Sequence, residues 1–242
     1  VSVTAATVAR VIEPAYLAAV RESYDTVADA YIRRVPPPER MEPMDRAMFA
    51  AFAEIVRESA LGPIADLGCG PGRTTAHLVS LGVSAFGVDV SPKMIENARG
   101  LFPELEFHVG SMTALSIPDN SLGGILAFFS THHTPPELLP AVFGEFGRTL
   151  RRGGHLLLGT HLGHGEHVRA RQGYGGLPLS YESHLLPVER IVELLEESGF
   201  TVVARLLQHG EKRQYATVLA RSEPALAAED NVQNGGQADD QR

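Results

Sequence analysis

The chain has 242 residues, 44% of them apolar, a formal charge of −8 and one cysteine, Cys69. That length and apolar content build one large domain, with room for a helical appendage. Scattered lysines and arginines on an acidic chain exclude a polyanion-binding face, and a lone cysteine excludes an internal disulfide or a thiolate metal cage. Half of the net charge lies in residues 222–242, where Glu223, Glu229, Asp230, Asp239 and Asp240 stand against Arg242. No apolar run reaches membrane-spanning length. The opening VSVTAATVARVIEPAY lacks the basic start and long apolar centre of a secretion signal. The expectation is a soluble, cytoplasmic protein.

Apolar positions Val8, Val11, Ile12, Tyr16, Leu17 and Val20 recur at helical spacing, so residues 4–35 read as helix with a break near Pro14. Tyr24 and Tyr31 fall on one face of it, and Pro36-Pro37-Pro38 ends it. Met44, Ala47, Met48, Ala51, Phe52, Ile55 and Val56 stripe a second helix over 44–60. The pattern then changes to short apolar runs alternating with helical periods. PIADLGCGPG reads as a strand entering a glycine loop, RTTAHLVSLG as a helix closed by Gly82, and SAFGVDVS as a strand. PKMIENARGLF is a helix with proline at its first position. LEFHVGS and LGGILAFFS are strands, and PELLPAVFGEFGRTLRRGG is a helix ending in two glycines. HLLLGTHLG is a strand, PVERIVELLEESGF a helix striped by Ile191, Leu194 and Leu195, and TVVARLLQ and YATVLARS are the last strands. The short connection HGEKRQ makes that last pair an antiparallel hairpin. Seven strands with interleaved helices predict an α/β fold with a doubly wound, Rossmann-like sheet. The expected domains are a helical cap over 1–60, a core over 61–221 with an inserted lid over 162–186, and a disordered tail over 222–242, which is polar and aperiodic.

The glycine loop, Gly68-Cys69-Gly70-Pro71-Gly72, follows the first strand and opens a helix, the usual ligand edge of such a sheet. Its G-x-G-x-G spacing has Arg73 where a dinucleotide fingerprint needs glycine or alanine, and no lysine for a P-loop. Asp89 ends the second strand, 21 residues after Gly68, where an acid accepts both ribose hydroxyls. Asp66 would repel a phosphate and attract an ammonium. A glycine turn alone is only a tight turn. Together with these two acids it predicts a ligand with a ribose, a positive group and a carboxylate over the helix N-terminus. S-adenosylmethionine has all three.

On YDTVADAY, ADLGCGPG, GVDVSPKMIENAR, HVGSMTAL, FSTHHTPPELL, LRRGGHLLLGTH and LLEESGF, residues 24–222 resemble the class I S-adenosylmethionine-dependent methyltransferases, of the small actinobacterial type that act on small molecules. The resemblance implies that Gly68, Cys69 and Gly70 wrap the methionine part, that Asp89 holds the ribose, and that Val90 and Met94 pack on the adenine. It places Gly110, Ser111 and Met112 at the adenine edge, Phe128 and Phe129 against the methionine, and Tyr24 as a lid. Many relatives carry aspartate at position 111, and Ser111 departs from them. Tyr31 is expected as a core tyrosine.

The adjacent histidines His132 and His133 follow the fourth strand beside the transferred methyl. His133 is the family position and His132 the departure. General-base work by His133 and His161, from neighbouring strand ends, suits methyl transfer to oxygen or nitrogen. The alternative for His133 is a hydrogen-bonded residue at a helix entry. His161, His164 and His167 are spaced by three, but Gly163 and Gly165 argue against a helix, so no metal is expected and His164 and His167 read as solvated loop.

The acceptor position lacks the Asp/Asn-Pro-Pro-aromatic run of DNA amino-methyltransferases, and Cys69 sits in the wrong place for a cytosine-C5 nucleophile. A small-molecule acceptor remains, with no nucleic acid or membrane partner, in a pocket covered by the N-terminal helices and by 162–186, to which His132, Tyr181 and His184 are assigned. Gly173, Gly175 and Gly176 make that segment a mobile lid. The predicted activity is O- or N-methylation of a specialised metabolite, with C-methylation of a prenylated indole as a variant. A binding protein without chemistry is the rival, and a nicotinamide oxidoreductase is disfavoured by Arg73 and Asp66. The helix over 4–20 either joins copies of the chain or covers its own active site.

Overall fold

A computed structural model of the chain describes residues 13–210 and 213–223. The two predicted segments at the ends, most of the helix before Pro14 and nearly all of the tail, lie outside the described residues. Helix α1 spans Ala15–Arg34, with Pro14 at its N-cap, and α2 spans Pro43–Ser59. Then come β1 (Ile64–Leu67), α3 (Arg73–Ser80), β2 (Ala85–Asp89), α4 (Pro92–Leu101), β3 (Phe107–Val109) and β4 (Leu122–Phe128). Helix α5 (Leu139–Thr149) leads into β5 (Leu150–His161). Four short strands follow: β6 (Glu166–Arg169), β7 (Gln172–Gly173), β8 (Leu177–Pro178) and β9 (Glu182–Leu185). Helix α6 (Val188–Glu197) and the hairpin of β10 (Phe200–His209) and β11 (Gln214–Ser222) complete the chain.

The seven-stranded sheet has the order β10-β11-β5-β4-β1-β2-β3. β1 through β5 are parallel, and β11 runs antiparallel to both neighbours. The chain order reverses between β1 and β4, which opens the crevice where ligands bind in such sheets. Side chains alternate between the faces. Ile64, Leu126, Leu157 and Leu219 pack under Phe49, Phe52 and Val56 of α2. Their neighbours Ala65, Ile125, Leu156 and Val218 pack under Val142, Phe143 and Phe146 of α5 and Leu194 and Leu195 of α6.

Two expectations change. The helix predicted to run to Gly154 ends at Thr149, and β5 starts at Leu150. Its register against β4 slips between the Leu122↔Leu150 and Gly124↔His155 pairs, and Gly153 takes a φ of 79°. Glycine doubles as helix terminator and bulge residue, and here it serves the bulge. The inserted segment 162–186 is not bare loop: β6 pairs with β9 and β7 with β8, both antiparallel. Strands of two to four residues lie below what alternation can register.

Candidate active site

A cavity opens at the carboxyl ends of β1, β2 and β4, roofed by α1. Gly68, Gly70, Asp89, Val90, Met94, Gly110, Ser111, Met112, Phe128, Phe129, Tyr24 and His133 all line it. Tyr16, Leu17, Val20, Tyr31, Ser130 and Thr134 line it too. The first three belong to an apolar stripe visible in the sequence, but a stripe does not say whether it faces a core or a hole. Tyr31, expected in the core, lies on the wall for the same reason.

Asp89 is 9% exposed and fixed at both oxygens: Ser91 N–H donates to Oδ1 and Gly70 N–H to Oδ2, each at 2.8 Å. Burial pushes its carboxyl up to about 6, against those two hydrogen bonds. Each oxygen keeps a lone pair for a ligand hydroxyl. The remaining loop amides are spent inside the protein. Gly68 and Cys69 N–H donate to Val88 O, and Gly72 N–H to Cys69 O. Between Gly68 and Gly72 no run of free N–H groups is left to cradle a phosphate. At Gly68, with φ 80°, a Cβ would lie 2.4 Å from Ser130 Cβ, so only glycine lets the loop pass the end of β4.

Asp66 and Cys69 do not line this cavity. Asp66 is 1% exposed, and its Oδ2 accepts from the Thr74 and Thr75 hydroxyls at 2.7 Å each. The first turn of α3 satisfies the carboxylate that was expected beside a ligand ammonium. Burial pushes it up to about 6. The Cys69 side chain packs with Ile95, Ala98 and Phe107, and burial raises its thiol well above the usual value.

His133 is 5% exposed and held from both sides. Its Nδ1 lies 2.9 Å from Glu182 O, and its Nε2 2.9 Å from Tyr24 Oη. A carbonyl only accepts, so Nδ1 carries the proton and Nε2 accepts from the Tyr24 hydroxyl. Burial pulls the imidazole down to about 4, so it is neutral at pH 7. Tyr24 stacks on Tyr181 at 5.6 Å and 14°. Burial raises its phenol well above the usual value.

His161 does not lie on the cavity wall. Its ring packs 4.7 Å from Phe129, which does line the cavity, and 5.1 Å from His132. Burial, then the Arg213 charge, pulls it down to about 4. His132 and His184 line a small separate pocket with Thr131, Thr160 and Leu186. Phe129 has a φ of 55°, an uncommon conformation for a bulky side chain that fixes the turn out of β4. His167, expected in solvated loop, sits on β6 opposite His184 of β9.

Sequence reading missed Asp25 and Arg73 as positioning residues. Asp25 Oδ1 accepts from Ser91 Oγ at 2.6 Å and Lys93 N at 3.1 Å, tying α1 to the turn after Asp89. Arg73 donates to Val35 O and Ile32 O, gripping the carboxyl end of α1. Asp25 lies inside the YDTVADAY run, but only the fold brings residues 66 apart into contact.

Residues 64–154 match the family model of a methyltransferase domain. The chain is 29% identical over 136 residues to an uncharacterized methyltransferase of Mycobacterium tuberculosis, covering 55% of this chain and 50% of that protein. It is 28% identical to phosphoethanolamine N-methyltransferase 1 of Arabidopsis thaliana over 69% of this chain and 34% of that one. The chain spans about half the length of the first of these relatives. The fold is similar to that of Burkholderia thailandensis 1,6-didemethyltoxoflavin-N1-methyltransferase, solved with 1,6-didemethyltoxoflavin and S-adenosylhomocysteine: TM-score 0.65, 20% identity, 89% of this chain and 93% of that one. Magnesium protoporphyrin IX methyltransferase of Synechocystis, solved with S-adenosylmethionine, is similar at TM-score 0.65 and 16% identity, over 87% of this chain and 99% of that one.

A parallel sheet that reverses order beside a glycine loop and a strand-end acid is the nucleotide-binding edge of a doubly wound fold, and the similar structures above place that fold among methyltransferases. That fold and the family model matched over residues 64–154 support a class I S-adenosylmethionine-dependent methyltransferase. The cofactor of this family is S-adenosylmethionine. Among the described residues no helix is long and apolar enough to cross a membrane.

Proposed function

We propose that the chain transfers a methyl group from S-adenosylmethionine to oxygen or nitrogen of a small, flat acceptor, as a tailoring step on a specialised metabolite. The observation that carries this reading is Asp89, held at both oxygens on the wall of a cavity floored by Gly68 and Gly70. The residues fit the cofactor: a fixed carboxylate for the ribose hydroxyls, and Val90, Met94 and Met112 for the adenine faces. Bound there, the cofactor supplies an electrophilic methyl on a sulfonium.

The acceptor end is aromatic, with Tyr16, Tyr24, Phe128 and Phe129 on the wall. This suits a planar ring system, and a neighbour of the same fold holds 1,6-didemethyltoxoflavin. An alkene of a prenylated indole is the carbon-acceptor variant, in which these rings steady a cation.

Proton removal runs through two residues. A neutral acceptor that gains a methyl becomes cationic, and its proton then leaves readily even to a weak base. Tyr24 Oη takes that proton as its own passes to His133 Nε2. The resulting imidazolium is steadied at Nδ1 by Glu182 O. His133 is thus the proton's destination, and Tyr24 the group that touches the acceptor. Alignment in the cavity supplies most of the rate, with the proton relay adding about 10²–10⁴-fold.

The test is calorimetric titration with S-adenosylmethionine beside Asp89→Ala, followed by turnover on a panel of aromatic hydroxyl and amine acceptors. Micromolar binding, about −8 kcal/mol, that Asp89→Ala largely removes is the expected result. Binding without turnover of any acceptor supports the rival, a cofactor-binding protein. No binding to the folded chain overturns both.

A further inference from the structure

The inserted segment carries a side-chain cluster that methyl transfer does not use. His167 on β6 and His184 on β9 are direct cross-strand partners, and their rings stack 4.5 Å apart at 17°. Glu182 lies two residues before His184 on the same strand, so its side chain leaves the same face. Its Oε2 is 2.6 Å from His167 Nε2. One ligand atom from each of the three residues lies within 4.8 Å of the other two. His184 Nε2 is sealed from solvent and has no hydrogen-bond partner among the described residues. The other Glu182 oxygen, Oε1, is held by Arg169 Nε at 2.8 Å.

We propose that His167, Glu182 and His184 form a binding site for a divalent transition metal of the zinc class. Two imidazoles and one carboxylate are a borderline donor set. It suits zinc and its neighbours, and not magnesium or calcium, which take six or more oxygens. Zinc bonds of about 2.0–2.2 Å bring ligand atoms to ~3.4 Å of one another. Side-chain rotation opens the 2.6 Å pair and closes the others that far, because His167 and His184 are direct cross-strand partners, whose Cβ atoms start only about 4.5–5.5 Å apart. An ordinary ion pair explains the contact between His167 and Glu182 but leaves the buried His184 Nε2 unsatisfied. A shared metal explains both. Arg169 then acts as the outer partner that fixes the carboxylate. Three protein ligands leave a fourth position for water.

The site has a structural consequence. The Glu182 carbonyl is the group that orients His133, so a metal at the Glu182 side chain pins the strand that shapes the candidate active site. The proposal itself stands apart from methyl transfer, and metal binding reads it out directly.

The experiment uses the full chain, freed of metal by a chelator. It is titrated with Zn²⁺ by calorimetry and with Co²⁺ by visible absorption, whose intense ligand-field bands report low coordination number. One equivalent bound at micromolar affinity or tighter is expected. His167→Gln and His184→Gln are each expected to weaken binding about tenfold or more, and the double variant to lose the equivalent. His108→Gln, a histidine elsewhere on the surface, should keep it. Equal unfolding midpoints of the metal-free variants show that the fold persists, and His167, 41% exposed at its side chain, tolerates the change. No stoichiometric binding to the wild type, or an equivalent that survives in the double variant, overturns the proposal.

Discussion

Asp89 and Tyr24 are the residues on which the proposed chemistry turns. Burial raises the Asp89 and Asp66 carboxyls to about 6, above the unfolded range. The folded apo chain therefore binds protons that the unfolded chain has already released. The stability these two groups contribute is complete below about pH 4 and is lost as pH rises through about 6. Cofactor binding at the proposed site runs the other way, because ribose hydroxyls donate best to the ionised carboxylate of Asp89. The affinity for S-adenosylmethionine is expected to fall about fourfold between about pH 7.5 and 5.5, read by calorimetry. A dissociation constant flat across that range removes Asp89 as the titrating group. Tyr24→Phe keeps the ring on the cavity wall and removes the hydroxyl that meets His133. The expected outcome is a kcat about 10²-fold lower with little change in cofactor affinity. An equal loss in the two would make Tyr24 a binding residue instead.

At the scale of elements, α1 is the part whose position decides whether a cavity exists. Arg73 holds its carboxyl end, Asp25 pins its middle to the start of α4, and Ser23 Oγ accepts from Ser180 N at 2.9 Å from the inserted segment. Asp25→Ala touches no cavity-lining atom. It is nevertheless expected to weaken cofactor binding about tenfold, since two hydrogen bonds near Asp89 are lost, each worth about 1 kcal/mol or slightly more. Hydrogen exchange should speed up along α1 at the same time; unchanged exchange would show that the anchor is redundant. Removing residues 1–20 takes away Tyr16, Leu17 and Val20, three residues of the cavity wall. These three residues roof the cavity of their own chain, so the deletion should raise the cofactor dissociation constant, and the size-exclusion mass is expected to stay unchanged. A fall in mass would show that the segment joins copies of the chain.

For the whole molecule, ligand binding and folding are linked through the loop at the end of β1, where core strand and cavity floor are continuous. S-adenosylmethionine at about 100 times its dissociation constant adds about 2.7 kcal/mol. In a chain of this size that raises the unfolding midpoint by about 5–10 °C, readable by scanning calorimetry. Asp89→Ala should abolish the shift, and a shift that persists would place the cofactor elsewhere.

Much of this was legible in the residues alone. Alternating apolar runs marked the seven main strands, HGEKRQ marked the antiparallel hairpin, and the glycine loop with Asp89 marked the edge where the cavity opens, because period, turn chemistry and strand-end position are local properties. The short strands β6 to β9 were not legible, since two to four residues carry no period. Nor was the direction in which buried polar groups turn. Asp66 faces the hydroxyls of α3, His161 stands behind Phe129, and His133 offers Nε2 to Tyr24. Each of these depends on a partner far along the chain or on a packed ring, and a buried donor or acceptor takes whichever partner the packing brings within reach.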